Sequence, residues 1–248
     1  MRKQVKQLAQ ILLGCCLLFC QSLAWSDQIT PPSRFITHIV DPSESELVFF
    51  WRDKTGEPYQ HFRHVKQALA SENKTLRFAM NGGVFQEDLT PLGLYVENGE
   101  LLYRLSLRQQ GYGNFYIQPN GVFYLTKSRQ AFVVPTVEFE LTSDVNYATQ
   151  SGPMLVVDGK INPKLTPGSI SLRVRNGVGI LPDGRIMFVL SKRFINFYDF
   201  AHYFQQQGCQ SALYLDGSVS RIYLPEKNIV SDGRFGVMIG QVNRLPDE

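Results

Sequence analysis

Apolar and polar residues follow two different periods along this chain, and each period predicts a different kind of element. In residues 196–208 the apolar side chains fall on one helical face. Asn196 is a favoured N-cap residue and Gly208 a favoured C-terminal stop, so the pattern predicts a helix between them. Residues 211–216 form a short apolar run that ends at Asp216. This run predicts a buried strand that holds a carboxylate at its end.

Shorter patterns predict the remaining elements. Strands are predicted at residues 34–40, 46–52, 75–81, 154–157, 160–161, 186–190, 221–224 and 235–242, and a second helix at residues 61–70. Between residues 92 and 139, runs rich in Tyr, Val, Phe and Ile are broken by Asn-Gly pairs, which is typical of a β-meander. Together these elements predict the α+β class, as a single domain with a large, mostly antiparallel β-sheet and a few packed helices.

The charge pattern separates the N-terminus from the rest of the chain. Removing Arg2, Lys3 and Lys6 from the 25 basic residues leaves 22, which equals the number of acidic residues. The remainder is therefore formally neutral. This balance gives no support to a polybasic nucleic-acid surface, so no nucleic-acid partner is predicted.

The first residues have the outline of a secretory signal peptide. The basic start is followed by an interrupted apolar stretch at residues 8–19 and by small residues that end at Ala24. We therefore predict a signal peptide at residues 1–24, a linker at 25–33 and a domain at 34–248, in a periplasmic or secreted protein. The alternative is lipoprotein anchoring at Cys15, but that residue lies in the middle of the apolar stretch.

No later segment is apolar enough to predict an integral membrane span after cleavage of the signal peptide.

Cys209 is the only cysteine beyond the leader, which excludes an intramolecular disulfide in the mature chain. No cysteine pair for zinc, G-x-S-x-G elbow, phosphate-binding P-loop or H-E-x-x-H sequence occurs, and no cofactor or metal is predicted. The sequence specifies no oligomeric state.

Four segments place polar side chains beside glycine at or near the end of an apolar run. They are residues 80–85, 150–155, 172–180 and 211–218. Together they supply a carboxylate, an amide, a hydroxyl and guanidinium groups, and glycine lets a ligand approach the backbone closely. Four separate structural turns would give the same list, because Asn-Gly and Asp-Gly are ordinary hairpin signals.

The order of these segments along the chain and their residues resemble the phosphodiester glycosidase family. Residues 81–85, Asn-Gly-Gly-Val-Phe, look like the family's NGGFF, and Ser-Gly-Pro at 151–153 matches its SGP. Residues 175–179, Arg-Asn-Gly-Val-Gly, are similar to Arg-Thr-Ala-Ile-Gly. Leu-Asp-Gly-Ser at 215–218 resembles LDGGGS without two of its glycines. The resemblance runs from about residue 75 to residue 240 and indicates a divergent branch.

The resemblance implies an exported hydrolase that cleaves the glycosidic bond of a sugar-1-phosphodiester. A phosphate monoester leaves as a stable anion, so it needs charge stabilisation more than a proton, and arginine supplies that through a bidentate fork. Asp216 would act at the anomeric carbon, as nucleophile or as base to water, and Arg175, or failing that Arg173, would hold the phosphate. Catalytic roles are thus predicted for Asp216, Arg175 and Asn81, and substrate-binding roles for Gly82, Gly83, Ser151, Gly152, Arg173, Gly217 and Ser218.

Several alternatives stay open at this stage. Glu87 and Asp88 are second candidate acids or solvated loop charges, and His61 with His64 is a ligand pair or an exposed helix face. The aromatic turn at residues 112–115 is a sugar-stacking platform or a plain turn. Two further functions are a non-catalytic periplasmic carbohydrate or sugar-phosphate binder and an envelope scaffold protein.

Overall fold

The computed structural model describes residues 33–216 and 219–244. The predicted signal peptide at 1–24, the linker apart from Ser33, and both Gly217 and Ser218 lie outside the described residues. The described residues from Arg34 onward form one compact unit. Within this described part of the chain, no helix has the length and apolar character needed to cross a membrane.

The described residues form sixteen strands and two α-helices. In chain order these are β1 (Phe35–Val40), β2 (Glu46–Phe50), α1 (Phe62–Ala70), β3 (Lys74–Asn81), β4 (Tyr95–Glu97), β5 (Glu100–Tyr103), β6 (Gly121–Thr126), β7 (Ala131–Pro135), β8 (Val145–Ser151), β9 (Met154–Val157), β10 (Lys160–Ile161), β11 (Asn176–Ile180), β12 (Ile186–Ser191), α2 (Phe197–Gln206), β13 (Ser211–Asp216), β14 (Ile222–Leu224), β15 (Ile229–Val230) and β16 (Met238–Arg244). Short 3-10 helices lie at Asn114–Tyr116, Thr136–Glu138 and Pro225–Lys227.

The strands divide into three antiparallel sheets. Sheet A has the order β1-β12-β11-β13-β9-β10, sheet B β15-β14-β3-β16-β2, and sheet C β5-β4-β8-β6-β7. The α+β class with antiparallel pairing therefore holds, although strands dominate and the expectation of one large sheet was wrong. The reason is that the three sheets bury side chains against one another in a shared core, which a single flat sheet cannot do.

A chain of phenylalanine rings joins the three sheets at the centre of the core. Phe188 of sheet A lies 4.9 Å from Phe78 of sheet B and 6.1 Å from Phe123 of sheet C, measured between ring centroids. Phe49 of sheet B is 5.7 Å from Phe123. These separations are those of favourable aromatic pairs. The sheets are thus fixed relative to one another close to the strand ends that carry the polar motifs.

Both predicted helices are present and cover the outer faces of sheets A and B. In α2 the Asn196 side chain accepts a hydrogen bond from the Asp199 amide at 2.8 Å, which confirms the predicted N-cap. Gly208 follows the helix with a φ of 85°, a conformation that favours glycine. The apolar face of α2 packs on sheet A and that of α1 on sheet B.

The predicted meander is only partly present. Asn98 and Gly99, with φ angles of 52° and 80°, form the tight turn between β4 and β5, as the Asn-Gly signal predicts. Residues 104–120, in contrast, contain no strand, and the 3-10 helix Asn114–Tyr116 lies within them. The aromatic residues of this segment therefore belong to a loop, and that loop reaches the site described next.

Candidate active site

The polar motifs meet where strands of all three sheets end. β3 of sheet B ends at Asn81, β8 of sheet C at Ser151 and β13 of sheet A at Asp216. β11 begins at Asn176, which pairs directly with Asp216 because these two strands are antiparallel. Residues that are as many as 135 positions apart therefore share one edge of the molecule.

Asn176 connects these strand ends through its side-chain amide. Its Nδ2 donates to the backbone oxygen of Asn81 at 2.8 Å and to Asn81 Oδ1 at 3.1 Å. Its Oδ1 accepts from the Asp216 amide at 2.8 Å and from the Ser220 hydroxyl at 3.2 Å. One fully buried side chain thus fixes Asp216 against β3. Sequence reasoning gave Asn176 no role, although it directly follows Arg175 in the motif.

Asn81 and Ser151 are both buried and act on the backbone of their neighbours. Asn81 Oδ1 also accepts from the Arg221 amide at 3.0 Å, while its Nδ2 has no hydrogen-bond partner among the described residues. The Ser151 hydroxyl donates to the Leu215 carbonyl at 2.8 Å. Ser151 therefore ties sheet C to the strand that presents Asp216.

The motif glycines are required by close packing. A Cβ at Gly82 would lie 2.7 Å from a side-chain carbon of Ile239, and one at Gly83 would lie 2.6 Å from the Thr149 hydroxyl. At Gly152 it would lie 2.6 Å from the Phe115 carbonyl. These distances are too short for any larger residue without movement of its neighbours. The predicted role of these glycines in substrate binding stays a prediction.

Arg175 is completely buried and holds two loops together. Its Nε donates to the Ile195 carbonyl at 2.9 Å and its Nη2 to the Ser171 carbonyl at 2.7 Å. The guanidinium carbon lies 3.5 Å from the centroid of the Phe197 ring and 5.4 Å from that of Tyr214. Its Nη1 has no hydrogen-bond partner among the described residues. Burial lowers the pKa of this group, which nevertheless stays charged because arginine is so strongly basic.

A cleft of about 530 Å³ opens beside these residues. It is lined by Val84, Leu92, Tyr112, Gly113, Asn114, Phe115, Ser171, Arg173, Tyr214 and Asp216. Asp216 is 8% exposed, whereas Arg173 is exposed on the wall. Arg175 is not among the lining residues, although its partner Ser171 is. The structure therefore brings Asp216 and Arg173 to one cavity.

Tyr214 lines the cleft, and the sequence analysis gave it no role. It lies two positions before Asp216 on β13, so the two side chains share one face of the strand, and this spacing could have identified it. Burial, reinforced by the Asp216 carboxylate, raises the pKa of Tyr214. The phenol therefore keeps its proton and can donate a hydrogen bond into the cleft. Asn114 Nδ2 lies 3.5 Å from its oxygen.

The other candidate groups lie outside this cavity. Glu87 and Asp88 do not line the cleft, and Asp88 Oδ1 accepts from the Thr90 amide and hydroxyl at 3.0 and 2.6 Å. Those bonds lower the pKa of Asp88 and fit the alternative of a loop charge. Among residues 33–216 and 219–244, no group of three or more His, Cys, Asp or Glu side chains could hold a metal ion.

With this geometry in place, comparison with known proteins identifies the family. A sequence profile described as phosphodiester glycosidase matches residues 74–235. The chain belongs to this family. It is also 36% identical over 220 residues to the uncharacterized protein YigE of Escherichia coli strain K12, covering 88% of this chain and 85% of that protein.

Solved structures share the fold of this family member. One is the catalytic domain of zebrafish N-acetylglucosamine-1-phosphodiester alpha-N-acetylglucosaminidase, auto-inhibited by its pro-peptide. It matches with a TM-score of 0.58 at 14% identity, over 86% of this chain and 84% of that one. A hypothetical protein from Synechocystis matches with a TM-score of 0.52 at 15% identity, over 85% of this chain and 59% of that one.

Proposed function

We propose that this protein is an exported hydrolase that cleaves the glycosidic bond of a sugar-1-phosphodiester in the cleft between Asp216 and Arg173. Water supplies the hydroxyl that ends on the anomeric carbon, and the bond from that carbon to the phosphate oxygen breaks. The products are a free sugar and a phosphate monoester. The observation that carries the proposal is that a carboxylate on a rigid strand end and an exposed guanidinium line one cavity.

Arg173 is the better candidate for contact with the phosphate. Arg175 has two donor groups occupied by the Ser171 and Ile195 carbonyls, and it is fully buried. Arg173 lines the cleft and is exposed, and its Nη1 donates to the Leu172 carbonyl at 2.8 Å. The remaining nitrogens of its planar fork match two oxygens of a phosphate. Arg175 then serves as a positioning residue that holds Ser171 in the cleft wall.

Asp216 acts at the anomeric carbon, either as nucleophile or as base to water. Its amide is fixed by Asn176, so Asn176 and Asn81 act through the position of this carboxylate. Tyr214 donates a hydrogen bond to a sugar or phosphate oxygen. Tyr112 is fully exposed on the cleft wall and offers a ring face on which a sugar can stack.

The first test is hydrolysis of a panel of hexose-1-phosphodiesters and N-acetylhexosamine-1-phosphodiesters by purified residues 25–248, with the anomeric products followed by NMR. Asp216→Asn should lose more than about 10³-fold in kcat, since it can neither attack nor accept a proton. Asp144→Asn is the matched control, because Asp144 precedes β8 at the end opposite Ser151. Full activity of Asp216→Asn would refute its catalytic role. Binding of the whole panel without turnover would favour the non-catalytic alternative.

The second test concerns the phosphate contact. Arg173→Lys keeps the charge but removes the planar fork, so kcat should fall by roughly 10²–10³-fold, as for loss of one transition-state donor. Arg129→Lys is the control, because Arg129 lies in the turn between β6 and β7, away from the end of β6 that pairs with Ser151. Unchanged kinetics of Arg173→Lys would remove Arg173 from the mechanism.

A further inference from the structure

Three large apolar side chains are exposed beside the cleft. Ile170 is 95% exposed, Phe194 67% and Leu172 42%. We call these three residues the apolar rim. Ile170 and Leu172 flank Ser171 in the chain, and Ser171 and Arg173 both line the cleft. The apolar rim therefore lies next to the residues that face the phosphate in the proposed function.

The local backbone explains why these side chains point outward. The Ser171 carbonyl is held by Arg175 Nη2 at 2.7 Å, and the Leu172 amide donates to the Ile170 carbonyl at 2.8 Å. This tight turn leaves its two flanking side chains on the outside. Arg173 and Ile195 exchange backbone hydrogen bonds of 3.2 and 2.8 Å, which brings the neighbouring Phe194 beside Arg173.

The exposure of these apolar side chains at the edge of the cleft indicates an interaction site. Single exposed apolar residues are normal on a soluble protein, but a group of them bordered by polar residues marks an interaction site. Two of the large apolar side chains in the described part of the chain, Ile170 and Tyr112, are more than nine-tenths exposed. One belongs to the apolar rim and the other lines the cleft. The two most exposed large apolar side chains of the described residues therefore both lie at or beside the cleft.

The charges around the apolar rim define the kind of ligand that fits. Residues 164–176 contain three basic residues and residues 190–196 contain two, and neither segment contains an acidic residue. The chain beyond the leader is formally neutral, so these five basic residues give the two segments a local positive excess. A surface that combines exposed aliphatic and aromatic groups with positive charge is suited to a lipid that carries phosphate.

We infer that the substrate is a glycosyl phospholipid, in which the phosphate that leaves with the aglycone is attached to a lipid. This inference rests on the proposed function. With the sugar at Asp216 and the phosphate at Arg173, the second ester oxygen of the phosphate leads to Leu172 and Phe194. The lipid chain packs on the apolar rim, and the surrounding basic residues face the phosphate-rich surface of the membrane that holds the lipid.

The test compares the methyl and dodecyl phosphodiesters of each sugar in the panel. Each buried methylene strengthens binding by roughly fourfold, so kcat/KM should favour the dodecyl ester by at least about tenfold. Ile170→Ser/Phe194→Ser should bring the ratio of the two kcat/KM values close to one. The control Ile39→Ser/Leu141→Ser also removes two exposed apolar side chains, near the far ends of β12 and β8, and should keep the wild-type ratio.

A second measurement separates this inference from the proposed function. Asp216→Asn protein, which should leave the ester intact, should sediment with phosphatidylcholine vesicles that carry the dodecyl phosphodiester, and the same protein with Ile170→Ser/Phe194→Ser added should not. Equal kcat/KM for the two esters, or a preference that the rim variant retains, overturns the lipid inference and leaves the proposed function standing. If neither ester is hydrolysed, the proposed function fails. Vesicle binding then tests the apolar rim on its own. The lipid inference is overturned if the proteins with and without the rim substitutions bind the vesicles equally, or if neither protein binds them.

Discussion

Arg173 and Arg175 lie two positions apart, yet their guanidinium groups occupy different environments. One is exposed on the cleft wall, and the other is fully buried between two carbonyls and the Phe197 ring. In sequence they are the same residue type in the same segment, residues 172–180. The sequence favoured Arg175 as the residue that holds the phosphate. Only the difference in burial between the two side chains favours Arg173 instead.

Arg175→Lys should lower both stability and rate. A lysine ammonium is a compact group that cannot reach the Ser171 and Ile195 carbonyls together, and a buried carbonyl left unpaired costs about 1–3 kcal/mol. The midpoint of thermal unfolding should fall, and kcat should fall because Ser171 is no longer held in the cleft wall. Arg173→Lys, at an exposed position, should keep the wild-type melting temperature. A normal melting temperature for Arg175→Lys would contradict the positioning role.

At the scale of elements, the unit formed by α2 and β13 is the part of the fold that most directly presents the site. Phe197 at the start of α2 packs against the Arg175 guanidinium, and β13 ends at Asp216. The Asn196 cap therefore stabilises the start of α2 and, with it, the position of the Phe197 ring against Arg175.

Asn196→Ala should destabilise the protein by about 1 kcal/mol, the usual cost of losing an N-cap. The variant removes the 2.8 Å bond to the Asp199 amide. Asn196→Ser keeps a capping oxygen and should recover most of the loss. Chemical denaturation followed by circular dichroism measures both variants. Equal stability of the alanine and wild-type proteins would show that this cap contributes nothing.

His38 should make stability depend on pH through the contact between sheets A and B. Its Nε2 lies 2.8 Å from Gln241 Oε1, and its ring stacks on Phe78 at 4.5 Å. Burial is the main cause of its lowered pKa, and the hydrogen bond to Gln241 and the Glu226 carboxylate only partly oppose it. Between the ordinary value of 6.5 and the lower folded pKa, the unfolded chain binds more protons, so stability falls as pH falls through this window.

The measurement is the melting temperature of wild type and His38→Gln between about pH 7.5 and pH 5, where histidine titrates. The variant should show a smaller decrease on acidification, because glutamine has no proton to gain. Parallel curves for the two proteins would assign the acid sensitivity to other groups.

At the scale of the whole molecule, we expect export with cleavage near Ala24. The basic start, the apolar stretch and the small residues before the cleavage position support this expectation. N-terminal sequencing of protein from the periplasm or the medium should begin close to Trp25. An intact Met1 in cytoplasmic protein would contradict export, and a lipid on Cys15 would establish the lipoprotein alternative.

The sequence by itself determined the parts that depend on neighbours in the chain. Apolar periodicity located α1, α2 and β13, because helix and strand each repeat on a fixed spacing. The Asn196 cap and the turn at Asn98 follow from local backbone chemistry. The motif order led to the family, since each motif is contiguous in sequence.

Only the tertiary structure decided which distant residues meet. Alternation of apolar and polar residues within a strand shows that one face is buried, but it does not show which strands pair. The sequence therefore predicted one large sheet where the structure has three. The link from Asn176 to Asn81 and Asp216 spans three strands of two sheets. The proposed exchange of roles between Arg173 and Arg175 rests on the burial of Arg175 and the exposure of Arg173. Hydrogen bonds and desolvation act between groups close in space, and chain folding alone sets those distances.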